Sequence, residues 1–231
     1  MYKRQVLERA SRLAGGASQA SEAACAIVAV TNGPGIRRLY EELGALVVDG
    51  GPTMNPSTYE LLAGIHSASA SEVVVLPNSP NVILAAERAA ELSERPARVV
   101  PTRAQQEGLA SLLAFDPEAD ASANASAVQQ ASEQVRVGGV AVAAKDDAQG
   151  RFTAGEAVGY DREELVAWGD PADTLRSTLA RIADGAELVT CLAGDQPPLD
   201  RAAVQALAPD GAELEYHDGG QPAWWYLLCS E

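Results

Sequence analysis

The sequence predicts an α/β protein: a parallel βα lobe followed by a second, smaller α/β lobe with antiparallel elements. Three observations lead there. Short β-branched apolar runs alternate with amphipathic stretches from residue 26 to about 117, the rhythm of right-handed βαβ units. Those runs are continuously apolar, as expected of strands buried on both faces. After Phe115-Asp116-Pro117 the rhythm gives way to longer strand-like segments around polar turns.

In the first lobe, Ala26–Thr31 is the first strand, followed by Gly33-Pro34-Gly35 and a helix to about Leu43. Ala45–Val48 is the second, followed by a Gly/Pro loop and a helix over Ser57–Ser67. Glu72–Leu76 is the third, followed by Pro77–Pro80 and a helix over Asn81–Leu92. Arg98–Val100 is the fourth, followed by a helix over Ala104–Ala114. The alanine-rich stretch Glu118–Gln134 reads as a connecting helix over 118–134. The second lobe, 135–231, holds a strand at Val135–Ala144, a polar turn at Asp146–Gly155 and one or two strands within Glu156–Trp168. Pro171–Ala183 is a helix with proline in its first turn. Leu188–Leu192, a helix at Leu199–Leu207, Ala212–Tyr216 and Trp224–Cys229 complete it. Residues 1–25 read as a linker or a fragment start. The opening Met-Tyr-Lys-Arg-Gln is similar to translated adapter DNA heading truncated reading frames, and the expectation is a fragment that lacks its N-terminal part.

Composition excludes several functions. The chain has 231 residues, enough for a substantial core, with 32 acidic against 17 basic residues, a formal charge of −15. That charge repels nucleic-acid backbones and anionic membrane surfaces. Lys3 and Lys145 are the only lysines, and Lys145 follows alanine, so there is no phosphate-binding loop of the Gly-Lys-Ser/Thr type. Three widely spaced cysteines and two histidines form neither a disulfide framework nor a metal knuckle. No apolar run is long enough for a membrane span, and the expected location is cytoplasmic.

Polar residues collect after the first-lobe strands: Thr31, Asn32 and Gly33; then Gly50, Gly51, Thr53, Asn55 and Ser57; then Asn78 and Asn81; then Thr102. In a parallel sheet these loops share the edge where ligands bind. Each precedes a helix, whose free N–H groups suit an anion. The same residues also serve as N-caps and turn formers. The ten residues Asp49–Thr58 hold more glycine, proline and hydrogen-bonding side chains than one helix start needs. A second cluster, His217-Asp218-Gly219-Gly220-Gln221-Pro222, carries an Asp-Gly hairpin signature. His217 there suits either a proton carrier in the crevice between lobes or a packed strand-end residue, and Gln221 joins it as a candidate.

Several of these motifs resemble one family in order. Val28-Ala-Val-Thr-Asn-Gly-Pro-Gly35 resembles the opening of the C-terminal domain of the FakA proteins, the kinase component of bacterial fatty acid kinase. Asp49-Gly-Gly-Pro-Thr-Met-Asn-Pro-Ser-Thr58 is the most specific match, with Pro52 where the family usually has Gln. Leu76–Ala89, Val100–Pro117 and His217–Pro222 follow, with Asp218 for the family's Asn. The resemblance covers residues 26–231. It implies a fold like that of DegV proteins and a part in ATP-dependent phosphorylation of a fatty acid carried by a DegV-type binding protein. It implies no catalytic residue and no cofactor in this chain, with ATP and magnesium held by a preceding kinase domain of the dihydroxyacetone-kinase type. It implies docking of the DegV-type partner, or homodimer formation, as the role of the domain, within phospholipid metabolism. The alternative is a small-molecule module that takes an acyl carboxylate or phosphate in the crevice between lobes.

Overall fold

The computed structural model describes residues 23–231; the expected linker start at 1–22 lies outside the described residues. Two compact units are present, residues 23–32 with Arg37–Glu133, and Gly33–Ile36 with Gln134–Glu231.

The first unit is a wholly parallel sheet of β1 (Ala23–Thr31), β2 (Leu46–Asp49), β3 (Ala70–Leu76) and β4 (Ala97–Val99), in the order β2-β1-β3-β4. The helices are α1 (Pro34–Glu42), α2 (Thr58–Ser67), α3 (Ile83–Leu92), α4 (Gln105–Ser111) and α5 (Ala121–Gln134). The chain steps from β1 outward to β2, then reverses to β3, so strand order switches between β1 and β3. Val28 and Val30 of β1, Val73 and Val75 of β3, Leu61 and Ile65 of α2 and Ala86 and Ala89 of α3 form one buried cluster. Gly44, at φ +85°, ends α1 in a conformation that costs glycine little. Ser57 starts α2 with a reciprocal capping box to Glu60. The Arg95 guanidinium donates to the Ile65 carbonyl at 3.1 Å and also to that of Ala68, closing the other end of α2.

Two expected helices are shorter in fact. The stretch 104–114 divides into α4 and a 3-10 turn, Leu112–Ala114, the tighter geometry common at helix ends. Glu118–Gln134 becomes helical only at Ala121, because Asp120 caps the Ala123 N–H at 2.7 Å and Glu72 takes the Ala121 N–H at 2.6 Å.

The second unit is a six-stranded mixed sheet in the order β7-β6-β5-β10-β8-β9. Its elements are β5 (Arg136–Val142), β6 (Ala157–Asp161), β7 (Glu164–Gly169), α6 (Pro171–Ile182), β8 (Leu188–Ala193), α7 (Arg201–Gln205), β9 (Glu213–Asp218) and β10 (Trp224–Ser230). The strands from β5 to β7 form the expected antiparallel meander. Asp170 caps α6 ahead of Pro171. Leu175, Leu179 and Ile182 of α6 bury against Val140, Val189, Tyr226 and Leu228. A β-carbon on Gly159 would lie 2.1 Å from the Thr178 hydroxyl, so glycine lets α6 sit close to β6. The helix expected over Leu199–Leu207 spans only Arg201–Gln205, with Asp200 as its cap.

The expected hairpin at His217–Pro222 is absent. β9 pairs parallel with β8, and β10 pairs with β8 from the other side. The segment after Asp218 therefore crosses the end of β8. Gly219 and Gly220 both donate to the Ala193 carbonyl, at 2.8 and 2.9 Å. The local Asp-Gly-Gly signal suits a tight turn, but long-range pairing decides what the turn connects.

Candidate functional site

All four β-strands of the first unit are parallel, so the loops after them leave one edge. At the β1/β3 switch that edge is filled by the chain's own side chains. Asn78, at φ +55°, donates its amide nitrogen to the Val30 carbonyl at 2.9 Å and to the Tyr40 hydroxyl at 2.9 Å. Its side-chain oxygen accepts from the Thr102 hydroxyl at 2.8 Å, and its backbone N–H donates to the same hydroxyl at 3.1 Å. Tyr40 donates to the Gln105 carbonyl at 2.6 Å. The Gln105 side chain clasps Asn32 twice, accepting from its N–H and donating to its side-chain oxygen, both at 2.8 Å. Asn32 in turn donates to the Gly51 carbonyl at 3.1 Å. Every residue in this chain of contacts except Gly51 is buried. A β-carbon on Gly108 would fall 2.1 Å from the Asn78 oxygen, so α4 closes over the network. Sequence reasoning missed Tyr40 and Gln105; a tyrosine and a glutamine on buried helix faces are the signal that points to them.

Thr31 ends β1 beside this network. Its carbonyl accepts the Gly50 N–H at 2.8 Å. Its hydroxyl is buried with no hydrogen-bond partner.

The loop after β2 explains most of its own composition. Asp49 accepts the Gly51 N–H at 2.8 Å, Asn55 donates its N–H to the Gly50 carbonyl at 2.9 Å, and Gly51 and Met54 take φ +64° and +49°. Gly50 is buried, and a β-carbon there would press on Met54 and Val30. Ser57 is consumed as the α2 cap. Two polar side chains are left over: those of Thr53 and Asn55 are exposed and make no hydrogen bond among the described residues. Asn81 in the next loop is the same. The sequence-predicted residues thus fall into two layers, with Asn32, Asn78 and Thr102 inside and Thr53, Asn55, Ser57 and Asn81 outside.

The helix starts are not free for an anion. Gly35 and Ile36, at the start of α1, donate to the Gly219 carbonyl at 2.9 and 3.2 Å. Glu60 holds the Ser57 N–H at 2.7 Å, and those bonds keep its carboxyl below the ordinary range. Glu107 accepts the N–H groups of Arg103 and Ala104 at 2.6 and 3.2 Å. Two of these acceptors are carboxylates, which would repel an incoming anion.

The 217–222 cluster is built as a clamp on residues 33–36. A β-carbon on Gly33 (φ +89°) would lie 2.6 Å from the Gly219 oxygen, and one on Gly35 would lie 1.7 Å from the Asp218 oxygen. Buried Gln221 donates to the Leu192 carbonyl at 2.8 Å, while its side-chain oxygen is unpartnered. His217 is partly exposed with its Nε2 atom 3.7 Å from Glu215, and Arg201 reaches Asp218 at 3.0 Å.

Neither Trp224 nor Trp225 stands free as an aromatic anchor. Trp225 packs against the core, and Trp224 meets Tyr160 edge-on at 5.9 Å. The most exposed large apolar side chains are instead Tyr59 and Leu84, each at 79%. Both occupy the first turns of adjacent helices, α2 and α3, at the carboxyl edge. Each stands two positions before a buried residue, Leu61 and Ala86, which on a helix is the opposite face. That offset is the missed signal.

Among the described residues no group of three metal-ligating side chains occurs, and no helix is long and apolar enough to cross a membrane. The donor set does not fit a nucleotide with its magnesium.

Comparison with known proteins places this arrangement. A family model for the C-terminal domain of FakA-like fatty acid kinases matches residues 26–231. Protein YloV of Bacillus subtilis is 33% identical over 220 residues, covering 89% of this chain and 39% of that protein. An uncharacterised Staphylococcus aureus protein, SAR1202, is 29% identical over 216 residues with the same coverage. The chain thus spans about two fifths of the length of these relatives. A DegV family protein from Corynebacterium glutamicum shares the fold at TM-score 0.66 and 14% identity, over 90% of this chain and 98% of that one. Dihydroxyacetone kinase of C. freundii does so at 0.57 and 13%, over 91% of this chain and 48% of that one. The expected fold and resemblance therefore hold, and the chain belongs to the C-terminal family of FakA-like fatty acid kinases, a kinase-associated domain.

Proposed function

We propose that this chain is the docking domain of a fatty acid kinase. It holds a DegV-type protein that presents the acyl substrate, while a separate part of the longer protein carries ATP and magnesium and transfers phosphate. The carrying observation is the division at the carboxyl edge. The position where open α/β sheets take small ligands is filled by the Asn78–Tyr40–Gln105 network. Around it, Thr53, Asn55, Asn81, Tyr59 and Leu84 stand exposed. Unused hydrogen-bonding groups around an aromatic and an aliphatic anchor suit a protein partner.

The test is calorimetric titration of the chain with an oleate-loaded DegV-type protein. Micromolar binding is expected, with at least about thirtyfold loss in the Tyr59→Ala/Leu84→Ala double variant. Undiminished binding by that variant moves the interface elsewhere.

One observation favours the small-molecule reading. The buried Thr31 hydroxyl lacks a partner, as a group awaiting a ligand would. Titration with free oleate and with phosphate separates the two readings, because only the small-molecule reading expects binding without the protein partner.

A further inference from the structure

The outer edge of β4 lies apart from the carboxyl edge. β4 pairs with β3 through Ala97, Arg98 and Val99, and it ends the sheet. Val73 donates its N–H to the Pro96 carbonyl at 3.0 Å, and Val100 donates to the Val75 carbonyl at 3.0 Å. In a parallel ladder alternate residues turn their backbone groups to one neighbour. Pro96, Arg98 and Val100 therefore face β3, and the N–H and C=O groups of Ala97 and Val99 face outward.

That edge is the floor of a groove of about 610 Å³ between α3 and α5. Ala90 on one wall and Ser122, Ala125 and Ser126 on the other are small, which leaves room for a second main chain. The walls differ in charge. Glu87 and Glu91 line the α3 side, and the α5 side is neutral, with Gln129 at one position. Arg88 engages Glu91 at 2.8 Å, and Glu87 has no ion pair among the described residues.

We propose that the open edge of β4 is a strand-addition site for an extended peptide segment with Lys or Arg at alternate positions. The backbone groups of Ala97 and Val99 recognise another backbone. An added strand alternates its side chains between faces. Ala97 and Val99 pack with the cluster that contains α3, so one set of added side chains meets Glu87 and Glu91. The other set meets Arg98 and the serines of α5, which suits hydroxyl residues. A second copy of this chain is a poor occupant, because like acidic walls would face each other. Pro96 and Pro101 bound the edge, so two N–H and two C=O groups carry the pairing and the affinity is modest. The site is independent of the docking reading above.

The probe is the acetylated, amidated peptide Thr-Lys-Thr-Lys-Thr-Lys-Thr, titrated into the isotope-labelled 231-residue chain. The expected Kd is about 10–100 µM, with the Ala97 and Val99 amides shifting first. A version N-methylated at alternate amides, and one with Glu for Lys, should each bind at least about tenfold more weakly. Val99→Pro removes one outward donor and leaves the groups that face β3. Ala125→Arg fills the groove from α5, and serves if the proline variant does not fold. Both should abolish the shifts. Unmoved Ala97 and Val99 amides at about 1 mM peptide would overturn the proposal. So would an N-methylated peptide binding as well as its parent, since charge alone would then explain the attraction.

Discussion

Gly35 donates its backbone N–H to the carbonyl oxygen of Gly219 at 2.9 Å. This one bond joins the two glycine-rich motifs of the sequence and gives both a structural cause. The start of α1 is closed by a backbone carbonyl, so the N–H groups that suggested an anion site are already satisfied. Gly35→Ala should therefore fail. Its β-carbon would fall 1.7 Å from the Asp218 oxygen, and backbone cannot rotate away as a side chain can. We expect destabilisation of about 3 kcal/mol or more, read as a large drop in thermal midpoint or loss of soluble protein. A variant that melts like wild type would show that the clamp is loose.

The network around Asn78 makes a second prediction. Asn78→Ala leaves the Val30 carbonyl and the Tyr40 and Thr102 hydroxyls short of a partner and keeps a strained φ of +55°. The cost should be about 2–4 kcal/mol by urea unfolding. Thr31→Val is the contrast. It removes a buried hydroxyl that has no partner, so the change should lie between neutral and about 1 kcal/mol stabilising. If Thr31→Val costs as much as Asn78→Ala, that hydroxyl has a partner in solution.

The cysteines should be inert in the folded chain. Burial pushes the Cys229 thiol up to about 12 and raises those of Cys191 and Cys25. At pH 8 a thiol near 12 is ionised to about one part in ten thousand. A disulfide reagent at pH 8 should find almost no reactive thiol in the native chain and three after denaturation. Rapid native labelling of Cys229 would mean that β10 opens readily.

The alternation of apolar runs and helices was legible because strands buried on both faces have a continuous pattern that few other structures share. The Ser57–Glu60 cap was legible for a similar reason, since its partners are three residues apart. What escaped was long-range. The Gly219 carbonyl and the Gly35 N–H are far apart in the chain, and nothing near either residue announces the other. The neighbours of β9 and β10 escaped likewise, since the Asp218-Gly219-Gly220 signal describes the turn but not the strand that lies between. Tyr59 and Leu84 required a comparison of helix faces, because each sits in a segment that is apolar overall.

The last prediction concerns pH and the α2 cap. The Glu60 carboxylate accepts the Ser57 N–H at 2.7 Å and the Ser57 hydroxyl at 2.7 Å, and these bonds hold its carboxyl below the usual value of 4.5. A folded-state value below the unfolded one means that the unfolded chain binds the proton more readily. The contribution is thus fully present above about pH 4.5 and is lost as pH falls through the lower folded value. Thermal midpoints of wild type and Glu60→Ala should differ by a constant amount from pH 8 down to about 5, then converge below about 4. Glu60→Gln keeps a hydrogen-bonding group at the capping position without the charge, so its difference from wild type should be smaller and should also close at low pH. A gap between wild type and Glu60→Ala that persists unchanged at pH 3 would assign the effect to lost packing. In that case the carboxylate at the start of α2 would not be what keeps anions away from it.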